Sequence, residues 1–234
     1  MEHGFSLLEW LFPSVINSKS GHVFSALIVA ILLILASFLY RKSLKKSADE
    51  VIPEGRVSLK NIFQVVVEGV FNFMESVIGH NAHKYVPLIG TVFIYVLVNS
   101  LLGAIPGFSP ATANVSTNLA VSLTVFVYYN YLGIKEQGFK NYLHHFMGPI
   151  IYIAPLMMLI ELISHFVRPL TLAVRLFGNL TGDHIVLGIF SDLVPLVVPV
   201  IFMAFGIFVS LVQAFVFSLL STVYIGLAVA HEEH

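Results

Sequence analysis

The chain has no cysteine and little charge. Asp, Glu, Lys and Arg make up 11% of its 234 residues, where an ordinary soluble domain carries roughly 25%. The lack of cysteine excludes disulfides, thiolate nucleophiles and cysteine-ligated zinc or iron, and leaves the redox compartment open. The shortage of charge excludes a soluble fold. No basic run exceeds Lys45-Lys46 and the formal net charge is −1. The dense positive surface that a phosphate backbone requires is missing, and nucleic acid is not an expected partner. The chain is rich in apolar length instead. Hydrophobic residues account for 57% of it, and uncharged stretches of about 20 residues are long enough to cross a hydrocarbon core as helices. The reading is an all-α polytopic membrane protein of about five to six membrane helices.

The first 22 residues include Glu2, Glu9 and Phe12-Pro13 and lack a basic run before an apolar core, so the N-terminus is expected to be retained rather than cleaved as a signal. Residues 1–22 are read as an external segment and 23–40 as the first transmembrane helix. Arg41, Lys42, Lys45 and Lys46 follow at once, with Arg56 and Lys60 beyond, which puts the loop 41–84 on the cytoplasmic side. A transmembrane hairpin is expected over 85–134. Its tip, 106–114, has no Lys or Arg, and the loop 135–148 after it carries Lys135 and Lys140, so the positive-inside pattern closes.

Within 57–79 the polar residues Gln64, Glu68, Asn72 and Glu75 recur at helical spacing. This predicts an amphipathic helix, either lying in the interface or packed on protein at the cytoplasmic side. From 149 to 230 the chain is almost continuously apolar, punctuated by Pro155, Pro169, Gly182 and the 195–199 region. Two or three long helices are expected, one over about 155–190. Such a helix is roughly 54 Å long, far beyond a core of about 30 Å, so it must tilt strongly. The same holds for the last helix, and a short tail, 231–234, ends the chain. Internal repeats and low-complexity linkers are missing.

Residues 149–230 contain only five Asp, Glu, Lys or Arg residues, Glu161, Arg168, Arg175, Asp183 and Asp192, with His165 and His184 besides. A charge at the bilayer centre costs about 2.5 to 3.5 kcal/mol on insertion scales, so each must face protein or water. Arg168 beside Pro169, and Asp192 near a helix end, read as structural pairs or snorkelling ends. Arg175 has no carboxylate three or four residues away and cannot lose its proton, so a partner from elsewhere must answer its charge. Glu161, Arg168 and Arg175 are spaced by seven. At about 100° per residue they drift only about 20° per step and form one stripe, with His165 and Asn179 close to it. His184, nine residues after Arg175, faces the opposite side. A fixed charge on one face and titratable groups on another suit a protein that keeps two aqueous pockets apart while passing an ion between them. Gln213, flanked by Val212 and Ala214, needs a partner and reads either as interhelical glue or as a site residue.

The segment Arg175-Leu176-Phe177-Gly178-Asn179-Leu180-Thr181-Gly182-Asp183-His184 is followed about 30 residues later by Val212-Gln213-Ala214-Phe215. Together with Pro87-Leu88-Ile89-Gly90-Thr91, Thr112-Ala113-Asn114-Val115 and Ser221-Thr222-Val223-Tyr224, it resembles the subunit a family of rotary F-type ATP synthases over nearly the whole chain. The resemblance implies a stator whose last two long helices lie inclined against a ring of small subunits. Two offset half-channels, within 149–230, would feed the mid-membrane carboxylate of each ring subunit. It implies Arg175 as the stator charge, His184 in the outer half-channel, Glu161 in the inner one, and Asn179 and Gln213 as polar neighbours of the arginine. Many relatives carry a second titratable group where this chain has Gly206, so Asp183 or water is expected to stand in as the partner of His184.

The resemblance further implies the c-ring, the peripheral-stalk subunit b and the rest of the complex as partners, in a bacterial inner membrane, with no cofactor and no covalent chemistry in this chain. A histidine on the path favours protons over sodium, which imidazole binds poorly and imidazolium repels. The first rival is an independent ion-coupled transporter, which would also use intramembrane Arg, Glu and His. The second is a metalloenzyme gathering His144-His145, His165, His184 and Glu161. It suffers from an E-x-x-x-H spacing where a zinc helix has H-E-x-x-H. A purely structural scaffold would give no reason for Arg175.

Overall fold

The computed structural model describes residues 21–46, 59–79, 82–103, 110–139, 141–142, 152–193 and 197–229. Among them are six long helices, α1 Gly21–Lys46, α2 Leu59–Ile78, α3 Val86–Gly103, α4 Val115–Gln137, α5 Ala154–Leu193 and α6 Val197–Val229. Two 3₁₀ turns, Ala82–Lys84 and Ala111–Ala113, lead into α3 and α4, and none of the described residues forms a strand. The expected external segment, Arg56, Lys140, the His144-His145 pair and the C-terminal tail lie outside the described residues, as does the side chain of Asp192.

α1, α3, α5 and α6 are each long and apolar enough to cross a membrane. α4 has 23 residues but is diluted by Asn, Ser, Thr and Tyr. Several of these, Asn118, Ser122 and Tyr129, are buried against the other helices. The chain is therefore an all-helical polytopic membrane protein.

Local chemistry sets the ends. Gly79, at φ 79°, closes α2 with its N–H on the Glu75 carbonyl at 2.9 Å, in the left-handed conformation glycine adopts without a Cβ penalty. Asn114 caps α4 by accepting the Ser116 N–H at 2.9 Å, satisfying one of the orphan donors of the first turn. Pro87 sits in the first turn of α3, where its missing N–H removes no helical bond.

α5 runs for 40 residues and contains Pro169. Neither Pro169 nor Gly182, both read as punctuation in the sequence, ends it. In an apolar phase a broken helix leaves backbone groups that water cannot answer, so continuity is favoured over fracture. Beside the proline, the Thr171 hydroxyl donates to the Arg168 carbonyl at 2.8 Å. At 1.5 Å per residue α5 is roughly 60 Å long, about twice the hydrocarbon thickness.

α6 is the hub, packed against α2, α3, α4 and α5. Met74, Ile89, Tyr129, Leu176 and Phe217 meet in one core. Small polar residues, Ser210, Ser218, Ser221 and Thr222, are buried along α6 and let the backbones approach closely. Ser221 and Thr222 return their hydroxyls to carbonyls four residues earlier, each at 2.8 Å. Ser210 reaches across to the Ser100 carbonyl at 3.2 Å. α2 packs Val70 and Met74 inward and sets Phe73 against Phe215 of α6, with ring centroids 5.3 Å apart. Its polar face, Gln64, Glu68, Asn72 and Glu75, is exposed.

Candidate functional site

The predicted residues hang on α5 at three levels. At the first, Arg168 Nη2 donates to Glu161 Oε1 at 3.1 Å, seven residues back on the same stripe. The Arg168 guanidinium lies 5.2 Å from the centroid of the Tyr224 ring of α6. The pair is 22% and 37% exposed, so solvent screening limits it to about 1 kcal/mol or less. It lines a cavity of about 180 Å³ together with Tyr129, Gln137, Tyr142, His165 and Leu227. That volume has room for several waters, each occupying about 30 Å³ in the liquid. Gln137 donates to the Ala228 carbonyl at 3.0 Å and ties the end of α4 to the end of α6. Thus Arg168, read as a structural ion pair, pairs with the very carboxylate assigned to ion passage.

Arg175 stands at the second level. Seven residues separate it from Arg168, about 10.5 Å along an unbroken helix. It is exposed, on the edge of an apolar face that also presents Ile160, Val167, Val174, Ile185 and Ile189. It makes no hydrogen bond or ion pair with the described residues. One turn on, Asn179 Nδ2 donates to Gln213 Oε1 at 2.6 Å. This is the partner that Gln213, 6% exposed, required. The Gln213 Nε2 donor is buried and has no partner among the described residues, so one polar group beside Arg175 is left open.

Asp183 and His184 occupy the third level, about 12 to 13.5 Å beyond Arg175. They line a second cavity with Gly103, Leu180, Phe202, Met203, Gly206 and Ser210. Its volume is about 20 Å³, the order of a single water. A Cβ placed on Gly206 would meet nothing within 4 Å. Where relatives are expected to carry a titratable side chain, this chain keeps open space beside His184 and Asp183. His165 and His184, which a metal site would have to gather, line different cavities.

Sequence reasoning missed the other walls of the first cavity, namely Tyr129, Tyr142, Gln137 and Tyr224. A signal for part of this was present in Tyr128-Tyr129-Asn130-Tyr131, a polar-tipped run inside an otherwise apolar span. The missing knowledge was which helix it faces.

Comparison with known proteins shows the family. The family model described as ATP synthase A chain matches residues 22–226. ATP synthase subunit a of Bdellovibrio bacteriovorus is 47% identical over 192 residues, covering 82% of this chain and 84% of that protein. Subunit a of Geobacter sulfurreducens is 44% identical over 198 residues, covering 85% and 82%. ATP synthase subunit a 3 of Pelobacter propionicus is 42% identical over 231 residues, covering 96% of each. With a match running from the first membrane helix to near the end of the last, the chain belongs to the ATP synthase A chain family.

Proposed function

We propose that this chain is the membrane stator of a proton-translocating rotary ATP synthase. It forms two offset half-channels that carry protons to and from the carboxylates of the c-ring, and so couples proton flow to rotation and ATP synthesis. It performs no covalent chemistry itself. The observation that carries the reading is the position of Arg175: an exposed positive charge, answered by none of the described residues, on one unbroken helix, between a cavity at Glu161 and Arg168 and a second at Asp183 and His184. A permanent charge facing outward from an apolar helix calls for an anionic partner from another chain, and a mid-membrane carboxylate is that partner.

In this reading Arg175 attracts the deprotonated ring carboxylate as it passes and bars a direct proton path between the cavities. Glu161 serves the inner half-channel, and His184 with Asp183 the outer one, where the space at Gly206 admits water. Asn179 and Gln213 orient polar groups beside the arginine. The c-ring faces the exposed side of α5, the peripheral-stalk subunit b and the rest of the complex are the other partners, and the protein sits in a bacterial inner membrane with its N-terminus outside and its C-terminus cytoplasmic. The half-channels belong to residues 149–230, with 41–84 and 135–148 as cytoplasmic loops.

The test replaces the resident subunit of a bacterial ATP synthase with this chain and follows ATP-driven acidification of inverted vesicles. The assembled complex is expected to pump, whereas the purified chain alone in liposomes should be inert. Sustained ion flux through the chain alone would favour an independent transporter instead. In the same vesicles, where ATP hydrolysis drives protons through the outer half-channel into the lumen, Asp183→Asn should slow acidification with assembly intact, since an amide can neither hold nor release the proton. Unchanged pumping would remove Asp183 from the path.

A further inference from the structure

The first cavity has a wall built on a histidine to which the half-channel reading gives no part. Tyr142, beyond the end of α4, seats its ring against Gly133, where a Cβ would come within 2.5 Å of Tyr142 Cε2. The Tyr142 hydroxyl donates to Asn130 Oδ1 at 2.8 Å. His165 Nε2 meets that same oxygen, also at 2.8 Å. The Asn130 amide nitrogen donates to the Phe126 carbonyl at 2.7 Å, which fixes the amide with its oxygen toward His165 and Tyr142. An amide oxygen can only accept, so Nε2 must carry the proton. The ring is 6% exposed and lies edge-on to Tyr129 and tilted against Phe126. Its other nitrogen faces the Tyr129 hydroxyl at 3.5 Å, the far limit of a hydrogen bond.

We propose that His165 is a positioning residue of the inner half-channel. Its Nε2–H holds Asn130, and through Asn130 it holds Tyr142 in the Gly133 notch as the wall of the cavity that Glu161 and Arg168 share. This rests on the half-channel reading above. His165 is not a proton carrier. A proton leaving by Nε2 would arrive at an amide oxygen that has none of its own to pass on, and the Tyr142 hydroxyl donates to that oxygen instead of accepting from it. Among the described residues, the titratable and charged groups that line this cavity with the ring are Tyr129 from α4, Tyr142 beyond it, Glu161 and Arg168 from α5, and Tyr224 from α6.

Glutamine separates holding from relaying, because its amide N–H reaches about where the imidazole Nε2–H does but cannot titrate. Inverted vesicles carrying the assembled complex are assayed for ATP-driven acidification across a range of pH, with His165→Gln, His165→Leu and Tyr142→Phe compared to wild type and to Arg175→Ala. His165→Gln is expected to pump like wild type with the same pH profile. His165→Leu and Tyr142→Phe should each lose about fivefold, the rate equivalent of a lost buried hydrogen bond. Equal loss in the glutamine and leucine variants, with assembly intact, would make the imidazole a titrating group and overturn the proposal. Wild-type pumping in the leucine and phenylalanine variants would overturn it too. If the leucine variant does not assemble, Tyr142→Phe decides alone, since it removes one oxygen atom: loss supports the latch and full pumping refutes it. Pumping by Arg175→Ala would place the fault in the half-channel reading, not in the latch.

Discussion

Arg175→Ala is expected to abolish ATP-driven acidification while leaving the complex assembled. Assembly should survive because Arg175 is exposed and makes no ion pair or hydrogen bond with the described residues. Its removal breaks no hydrogen bond or ion pair among the described residues, and exposed substitutions of this kind usually change stability by no more than about 0.5 kcal/mol. Function should not survive. At an effective dielectric near 20, opposite charges about 4 Å apart attract by roughly 4 kcal/mol, about a thousandfold in the ratio of ionised to neutral carboxylate. Without that bias a ring carboxylate facing α5 stays protonated, and the barrier between the cavities is open. Pumping should fall to background, passive proton leak should rise, and an immunoblot for the subunit should be unchanged. Arg175→Lys keeps the charge but loses the planar fork, so it should recover little. Full pumping by an assembled Arg175→Ala complex would reject the assignment.

Gly133→Ala is expected to lower the amount of stable subunit. Two effects compete. Alanine in place of an interior helical glycine gains about 1 kcal/mol in helix propensity. Against that, the new Cβ would lie 2.5 Å from Tyr142 Cε2, 2.9 Å from Cδ2 and 3.3 Å from the Ala228 carbonyl oxygen. The ring is held by its hydroxyl on Asn130 and the carbonyl by Gln137, so neither yields freely. Overpacking costs about 1 to 3 kcal/mol, and contacts this short belong at the upper end, so the clash wins. The check is a double-mutant cycle read by subunit level and thermal inactivation. Gly133→Ala should be destabilising with Tyr142 present and much milder beside Tyr142→Ala. Gly69→Ala is the control, for a Cβ there meets nothing within 4 Å and should be neutral or gain up to about 1 kcal/mol. Equal costs in the two Tyr142 backgrounds would refute the clash.

The helices were legible because membrane spans are written in uninterrupted apolar length. The amphipathic spacing of Gln64, Glu68, Asn72 and Glu75 gave α2 an exposed face, and the apolar run of 149–230 resolves into α5 and α6. Pro169 punctuates the sequence without ending the helix expected over about 155–190, since its cost is judged against water and the helix lies in lipid, where an interruption costs more. Of the candidate site, the stripe of Glu161, Arg168 and Arg175 followed from spacing alone. That Arg168 closes on Glu161 was outside the reach of spacing rules, which treat neighbours three and four residues apart. A long guanidinium reaches two turns back, and Tyr224 on another helix helps hold it there. Asn130, Tyr142 and His165 meet only through the packing of α4 on α5, and a single sequence does not state which faces touch. Gln213 shows the same limit, because its need for a partner was plain and the identity of Asn179 was not.

The unbroken course of α5 has a mechanical meaning. Glu161, Arg175 and His184, the proposed inlet, barrier and outlet groups, are fixed to one rod, so their spacing along it changes only in steps of about 1.5 Å, each with a twist of about 100°. Inserting one residue between Arg168 and Arg175 would turn the whole far half of the rod away from its partners, while a conservative substitution leaves the gauge intact. A proton crossing about 100 mV releases roughly 2.3 kcal/mol, and a rotor that uses this to turn pushes back on the rod with equal force. That recoil passes sideways into α4 and α6, through the seam of Leu172, Leu176 and Phe217. The buried side of α5 is the bearing housing of the motor, and its close packing is what keeps the recoil from becoming lost motion.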